Sequence, residues 1–236
     1  MKSEMKRALK DAFEAPEPKH KKEFLKELEQ PQISTVSFLL SQVSYIRKSV
    51  WIGSVFVAVL AVLWADAVGE DSVWVISAMM PFVALCGITE GARSETYQMA
   101  ELEMASRFSL KSITLARLGA IGVLHFILYC ILIVLAGKSE LVSFGQAGIY
   151  LLVPYLLTSV LGLVAVRKVH GKESIYICMG IAVMVSGLHL IVKGVLPEIY
   201  EEKQLIWWIA VGVYLLVKAW GEYKKMIYQT EELAWN

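Results

Sequence analysis

From residue 49 onward six apolar runs alternate with short polar segments, at 49–65, 73–89, 113–136, 148–166, 174–196 and 205–220. A helix rises 1.5 Å per residue and a bilayer's hydrocarbon core is roughly 30 Å thick, so about 20 apolar residues cross it. Each run is near that length and predicts one membrane-spanning helix. The second and sixth, 17 and 16 residues long, are short and predict tilt or local thinning. Just upstream, Val36, Leu39, Leu40, Val43 and Ile46 recur at helical spacing after Ser34 or Thr35, either of which can cap a helix. This amphipathic helix runs into Arg47, Lys48 and Trp51, which places it along the membrane interface before the first crossing. Further upstream, Met1, Met5, Leu9 and Phe13 with Lys2, Lys6, Arg7 and Lys10 predict a basic amphipathic helix over 1–15. Pro16 and Pro18 end it, and a second charged helix is predicted over 21–29, before Pro31.

Composition agrees with the pattern. The chain is 56% hydrophobic and 19% charged, against about 45–50% apolar in soluble domains. Its 236 residues suffice for six spans and one terminal extension but leave no room for a nucleotide-hydrolysing domain. The first 48 residues lack a continuous apolar core, so insertion is expected to use the first run rather than a cleaved signal. The net charge of +1 is uninformative, whereas the placement of charge is not. Of the 23 Lys and Arg, ten lie in residues 1–48, four in 90–117, three in 167–172 and three from 218 on; the last three are Lys138, Lys193 and Lys203. The positive-inside rule therefore puts both termini and the 90–117 segment on the cytoplasmic side of the plasma membrane. The expected architecture is all-α and polytopic: a cytoplasmic segment 1–48, a six-span domain 49–220 and a cytoplasmic tail 221–236. Trp64, Trp74, Trp207 and Trp208 near the outer ends, with Trp51 and Trp220 near the inner ends, match the aromatic belts of membrane interfaces. Asp66, Glu70, Asp71, Glu140, Glu198, Glu201 and Glu202 make the outer rim acidic, the usual complement of that orientation.

No GxxxxGK[ST] loop is present, so the chain has no phosphate cradle of the P-loop kind and is not expected to hydrolyse ATP. Neither GxSxG nor HExxH occurs, and no enzyme site or cofactor is expected. Cys86, Cys130 and Cys178 sit singly in apolar runs and read as packing residues rather than disulfide or zinc ligands. The basic residues fit the topology without forming a separate patch, which argues against nucleic acid as a partner. Inside the spans, an unpaired polar group costs several kcal/mol, so His125 and His189 stand out. Each either lines a substrate or proton path or bonds to a neighbouring helix. Pro81 and Pro154 predict kinks in the second and fourth spans. Ala116, Gly119, Ala120 and Gly122 give the third span a small-residue face for close contact within the chain or across a dimer.

The longest polar interruption is 90–117. It carries Glu90, Arg93, Glu95, Glu101 and Glu103 in its first half and Arg107, Lys111 and Arg117 in its second, and no Gly or Pro breaks it between Ala92 and Leu118. It reads as helix, with Tyr97, Ala100, Met104 and Phe108 on one stripe. The charged cluster Glu90, Arg93 and Glu95, the following Thr96, the turn over 105–109 and the basic-ended helix over 110–117 resemble the first cytoplasmic loop of exporter-type ABC transporter permeases, the type-two membrane family. Arg107 stands where that family usually has Pro, and Glu95 where it usually has Gly. The resemblance implies that 90–107 is a coupling helix that docks on a separate ATP-hydrolysing subunit through Glu90, Arg93, Glu95, Thr96, Glu101, Glu103 and Arg107. It also implies an elbow helix before the first span and a homodimer, or a heterodimer with a second permease, exporting a peptide, lipid-like or drug-like substrate. The long charged segment 1–48 supports a different reading: a membrane-anchored regulator, anti-sigma-like or a sensor, whose N-terminal segment holds a cytoplasmic partner.

Overall fold

The computed structural model describes residues 34–68, 72–93, 110–136, 143–169, 171–196 and 202–232. Among these there are seven α-helices, which we number α1 (Thr35–Tyr45), α2 (Lys48–Val68), α3 (Ser72–Gly91), α4 (Leu110–Ala136), α5 (Phe144–Lys168), α6 (Glu173–Val195) and α7 (Leu205–Glu232). A single turn of 3-10 helix, Glu202–Gln204, precedes α7. The chain divides into two compact units, Met1–Phe38 and Leu39–Asn236. The described part of the first is the opening turn of α1, where the Phe38 amide donates to the Ser34 carbonyl at 2.9 Å. The helices expected over 1–15 and 21–29 lie outside the described residues.

In the second unit, α2 to α7 are each long and apolar enough to cross a membrane, with candidate spans of 19 to 26 residues. The second and sixth spans are longer than their apolar runs because the helices continue through polar residues that find partners. Glu90 near the end of α3 is ion-paired to Arg93, and Glu222 in α7 is ion-paired to Arg167 and Lys225. The spans alternate in direction. Lys48, Gly91, Leu110, Lys168, Glu173 and Glu232 mark one end of the bundle, here the near end, and the aromatic residues Trp74 and Trp208 mark the far end.

The spans are not equivalent. α3 and α5 are 61% buried along their span windows, whereas α2, α4, α6 and α7 are only 22–28% buried. α3 and α5 pack against each other at the centre; α2 and α4 cover α3, α7 covers α5, and α6 lies against both. In hydrocarbon, lipid tails are as apolar as leucine, so helices associate through close packing and interhelical hydrogen bonds rather than through a hydrophobic drive. The central pair shows both. At Gly162 an added Cβ would lie 2.6 Å from Ile88 Cδ1, so glycine there admits the isoleucine of α3. Toward the far end, Ala58, Ala61 and Ala65 of α2, Val73, Ile76 and Met80 of α3, Leu128 and Leu132 of α4, and Tyr150 and Leu151 of α5 form one core. Ile52, Phe126, Ile191 and Ile206 point outward and are 66–76% exposed, a surface that suits lipid.

Both central helices carry a proline, Pro81 in α3 and Pro154 in α5. Proline has no amide hydrogen, so the carbonyl four residues earlier loses its helical donor. For Pro154 that carbonyl belongs to Tyr150, and the Ser77 hydroxyl of α3 donates to it at 2.6 Å. Ser77 is itself four residues before Pro81. The hydroxyl of one weakened turn thus supplies the donor missing from the other. The Pro154 carbonyl in turn accepts from Thr158 Oγ1 at 2.9 Å. The small-residue face of the third span divides: Ala116 is buried, whereas a Cβ at Gly119 or Gly122 would meet no atom of the chain within 4 Å.

This arrangement predicts a non-additive pair of substitutions. Ser77→Ala is expected to lower the unfolding free energy in detergent or bicelles by about 1 kcal/mol. Pro154→Ala restores an amide able to reach the Tyr150 carbonyl, so on that background Ser77→Ala should cost less than half as much. Equal costs on both backgrounds would show that the serine does not replace the missing donor.

Candidate functional site

Side chains with chemical potential gather at three levels along the bundle. At the middle, Ser54 of α2, His125 of α4 and Tyr155 of α5 form a continuous line. Ser54 Oγ lies 3.1 Å from His125 Nε2, and His125 Nδ1 lies 3.1 Å from the Tyr155 hydroxyl. A neutral imidazole donates at one nitrogen and accepts at the other, so both ring nitrogens are used and the line has a direction that reverses with the tautomer. A small residue makes room for the ring: at Gly87 of α3 an added Cβ would sit 3.0 Å from His125 Cε1. The tyrosine ring meets the imidazole edge-on, with centroids 5.9 Å apart.

Beside this line a cavity of about 350 Å³, open on one side, is walled by Met80, Gly122, His125, Phe126, Tyr129, Leu152 and Tyr155. Tyr129 donates its hydroxyl to the Gly148 carbonyl at 2.7 Å. The polar part of the wall is His125 with the hydroxyls of Tyr129 and Tyr155.

At the far end, Trp74, Tyr150, His189 and Trp208 form a box of rings from α3, α5, α6 and α7. Tyr150 lies 5.3 Å from Trp74 and from Trp208, and His189 lies 5.5 Å from Trp74 and 6.4 Å from Trp208. Gln146 Nε2 donates to the Tyr150 hydroxyl at 3.0 Å, and Lys193 Nζ stands 5.0 Å above the Trp74 ring. The chain supplies its own cation to this box. His125 and His189 thus belong to separate clusters, one hydrogen-bonded to Ser54 and Tyr155 and the other set against Trp74 and Trp208.

At the near end the stems of the 90–117 segment are built into the bundle. Glu90 is buried, and Arg93 Nη1 donates both to Glu90 Oε1 at 3.0 Å and to the Tyr45 carbonyl at 2.9 Å. That second bond ties the end of α1 to the end of α3. A Cβ at Gly91 would lie 2.9 Å from Leu118 Cδ2 and 3.6 Å from Met226 Cε, so the ends of α3 and α7 and the start of α4 meet. Next to this junction, Arg167 of α5 lies 2.9 Å from Glu222 of α7, and Lys111 stands 5.8 Å from the Tyr228 ring. Of the coupling residues expected from the sequence, Glu90 and Arg93 are placed as neighbours. Glu95, Thr96, Glu101, Glu103 and Arg107 lie outside the described residues.

Ser54, Ser77, Tyr155, the ring box and the Arg167–Glu222 pair were not singled out by sequence. The two Ser/Tyr-to-Pro spacings of four, 77 to 81 and 150 to 154, were the available signal for the central clip. Gly87 after Cys86 marked where a ring from another helix, His125, could enter. Among the described residues, no group of three or more His, Cys, Asp or Glu could hold a metal ion, and Cys86, Cys130 and Cys178 are free thiols. No family model, curated protein or solved structure matches the chain.

The near-end geometry makes Arg93 the counter-ion of a buried carboxylate. Breaking a fully buried pair costs about 3–5 kcal/mol; because Arg93 is 21% exposed, Arg93→Ala is expected to cost about 2 kcal/mol. Glu90→Gln combined with Arg93→Ala should recover part of that loss, measured by denaturant midpoint. A double variant as unstable as the sum of the two singles would contradict the pairing.

Proposed function

We propose that this chain is the permease subunit of an ATP-driven exporter of the ABC type. In this reading both termini and the 90–117 segment face the cytoplasm across the plasma membrane. ATP is hydrolysed by separate subunits, and the working unit contains two permeases, identical or different. The observation that carries the reading is the anchoring of the 90–117 segment. Its first stem is locked to α1 through Arg93 and the Tyr45 carbonyl, and that same stem is the end of α3, one of the two central helices.

A force applied to the segment from the cytoplasm would therefore act at once on α1 and on the most buried helix pair. Pro81 and Pro154 give that pair weakened turns at which to bend, and the half-open cavity beside His125 lies at the same depth. These features suit a bundle whose packing changes when a partner pushes at one end. A segment serving only as a connection would need no buried ion pair at its root.

The second reading, a membrane-anchored regulator, is favoured by one observation: residues Met1–Phe38 form a compact unit of their own. Under that reading the first unit holds a cytoplasmic partner and the spans act as anchor or sensor.

Affinity purification of the tagged chain separates the two. An ABC ATPase is expected to co-purify, and Glu101→Lys with Glu103→Lys should release it, while deletion of residues 1–30 leaves it bound. Absence of any ATPase, with a partner lost on deleting 1–30, would replace the exporter by the regulator.

A further inference from the structure

The cavity at the bundle's middle has a shape and lining that the ion pairs and ring box do not. Its volume of about 350 Å³ falls within the range of small-molecule pockets, roughly 300–1,000 Å³. It opens where Gly122 and Phe126 face outward, Phe126 being 66% exposed, so its mouth is on the lipid side of α4. Tyr155 lies near the centre of the span Phe144–Lys168, and His125 near the centre of Lys111–Ala136. A ligand would thus enter from hydrocarbon rather than from water.

The walls restrict what fits. No charged side chain lines the cavity, and an ion at this depth would carry a large desolvation cost, so the ligand is neutral. Phe126, Tyr129 and Tyr155 present ring surfaces and Met80 an adaptable thioether that favours aromatic contact, which suits a flat ring system. Hydrogen-bonding positions remain on the hydroxyls of Tyr129 and Tyr155, and Tyr155 is the one beside the His125 ring nitrogen. The Tyr155 hydroxyl is bonded to His125 Nδ1 and to the Ser159 side chain; with one donor and two acceptor positions, a phenol hydroxyl so engaged keeps one position for a ligand. The Ser54–His125 bond behind it lets the tautomer reverse to match the ligand.

We propose that this cavity binds a neutral, membrane-dissolved aromatic or quinonoid molecule, its ring between Phe126 and Leu152 and its oxygen on the Tyr155 hydroxyl. As a statement about cargo this rests on the exporter reading; as a binding site it does not, because no ATPase takes part.

The full chain in lipid nanodiscs, without an ATPase, tests it by fluorescence titration with 2-naphthol, and with naphthalene as the analogue lacking the oxygen. Saturable binding beyond that of empty nanodiscs is expected for both, tighter for 2-naphthol. Gly122→Leu fills the mouth from a position where a Cβ meets nothing of the chain, so folding is kept, and both ligands should weaken at least tenfold. Tyr155→Phe should weaken 2-naphthol about five- to tenfold and leave naphthalene unchanged. Uptake no greater than by empty nanodiscs, binding indifferent to Gly122→Leu, or equal losses for both ligands in Tyr155→Phe would overturn the assignment. Those results would leave ATPase co-purification untouched, so the two proposals fail separately.

Discussion

The hydrogen bond from Ser77 to the Tyr150 carbonyl joins the two buried helices at the turns where proline has removed their internal donors. In hydrocarbon a carbonyl without a donor is expensive, and at Tyr150 the helix cannot supply one because residue 154 is proline. The neighbouring helix supplies it instead. The constraint works in both directions. It joins α3 and α5, which about three turns away meet again where Gly162 admits Ile88, and it leaves each helix with a weakened turn at the same depth. The four outer helices then need only cover this pair, and most of their surface stays free for lipid.

Around that pair the polar groups sort by depth. The middle holds neutral hydroxyl and imidazole groups in one line, Ser54–His125–Tyr155. The near end holds full charges, and its two buried carboxylates are compensated: Glu90 by Arg93, Glu222 by Arg167 and Lys225. The far end holds rings with Lys193 over one of them. This gradient follows the cost of polarity in a bilayer, lowest at the surfaces and highest at the centre. It also divides the labour of the proposed function. In that function a partner would act at the charged end and a neutral ligand would occupy the middle, with the clipped pair α3–α5 connecting the two.

Much of the fold was legible in the sequence. Six apolar runs at bilayer length and the helix expected from Ser34 or Thr35 to Ile46 appear as six long apolar helices and α1 (Thr35–Tyr45), because length and periodicity decide those features locally. What escaped was set by contacts between runs. Nothing in the apolar stretch 73–89 marks it as central, since a lipid-facing and a buried helix are equally apolar. Its centrality depends on glycine and serine positions that matter only once a second helix is against them. The lengths of the second and sixth spans were underestimated for a related reason: Glu90 and Glu222 look like span ends until their basic partners, one of them 55 positions away in α5, are in place. His125 and His189 looked alike in sequence, yet one joins a hydrogen-bonded line beside a cavity and the other a packed box of rings.

The functional account depends most on which side of the membrane the 90–117 segment occupies, because a cytoplasmic partner can act on α1 and α3 only if their joined ends lie inside. Cysteine labelling decides this. In a chain with Cys86, Cys130 and Cys178 replaced and a single cysteine introduced as Ser106→Cys, a membrane-impermeant maleimide should react only after the cells are permeabilised. Full labelling in sealed cells would place the segment outside and contradict the account.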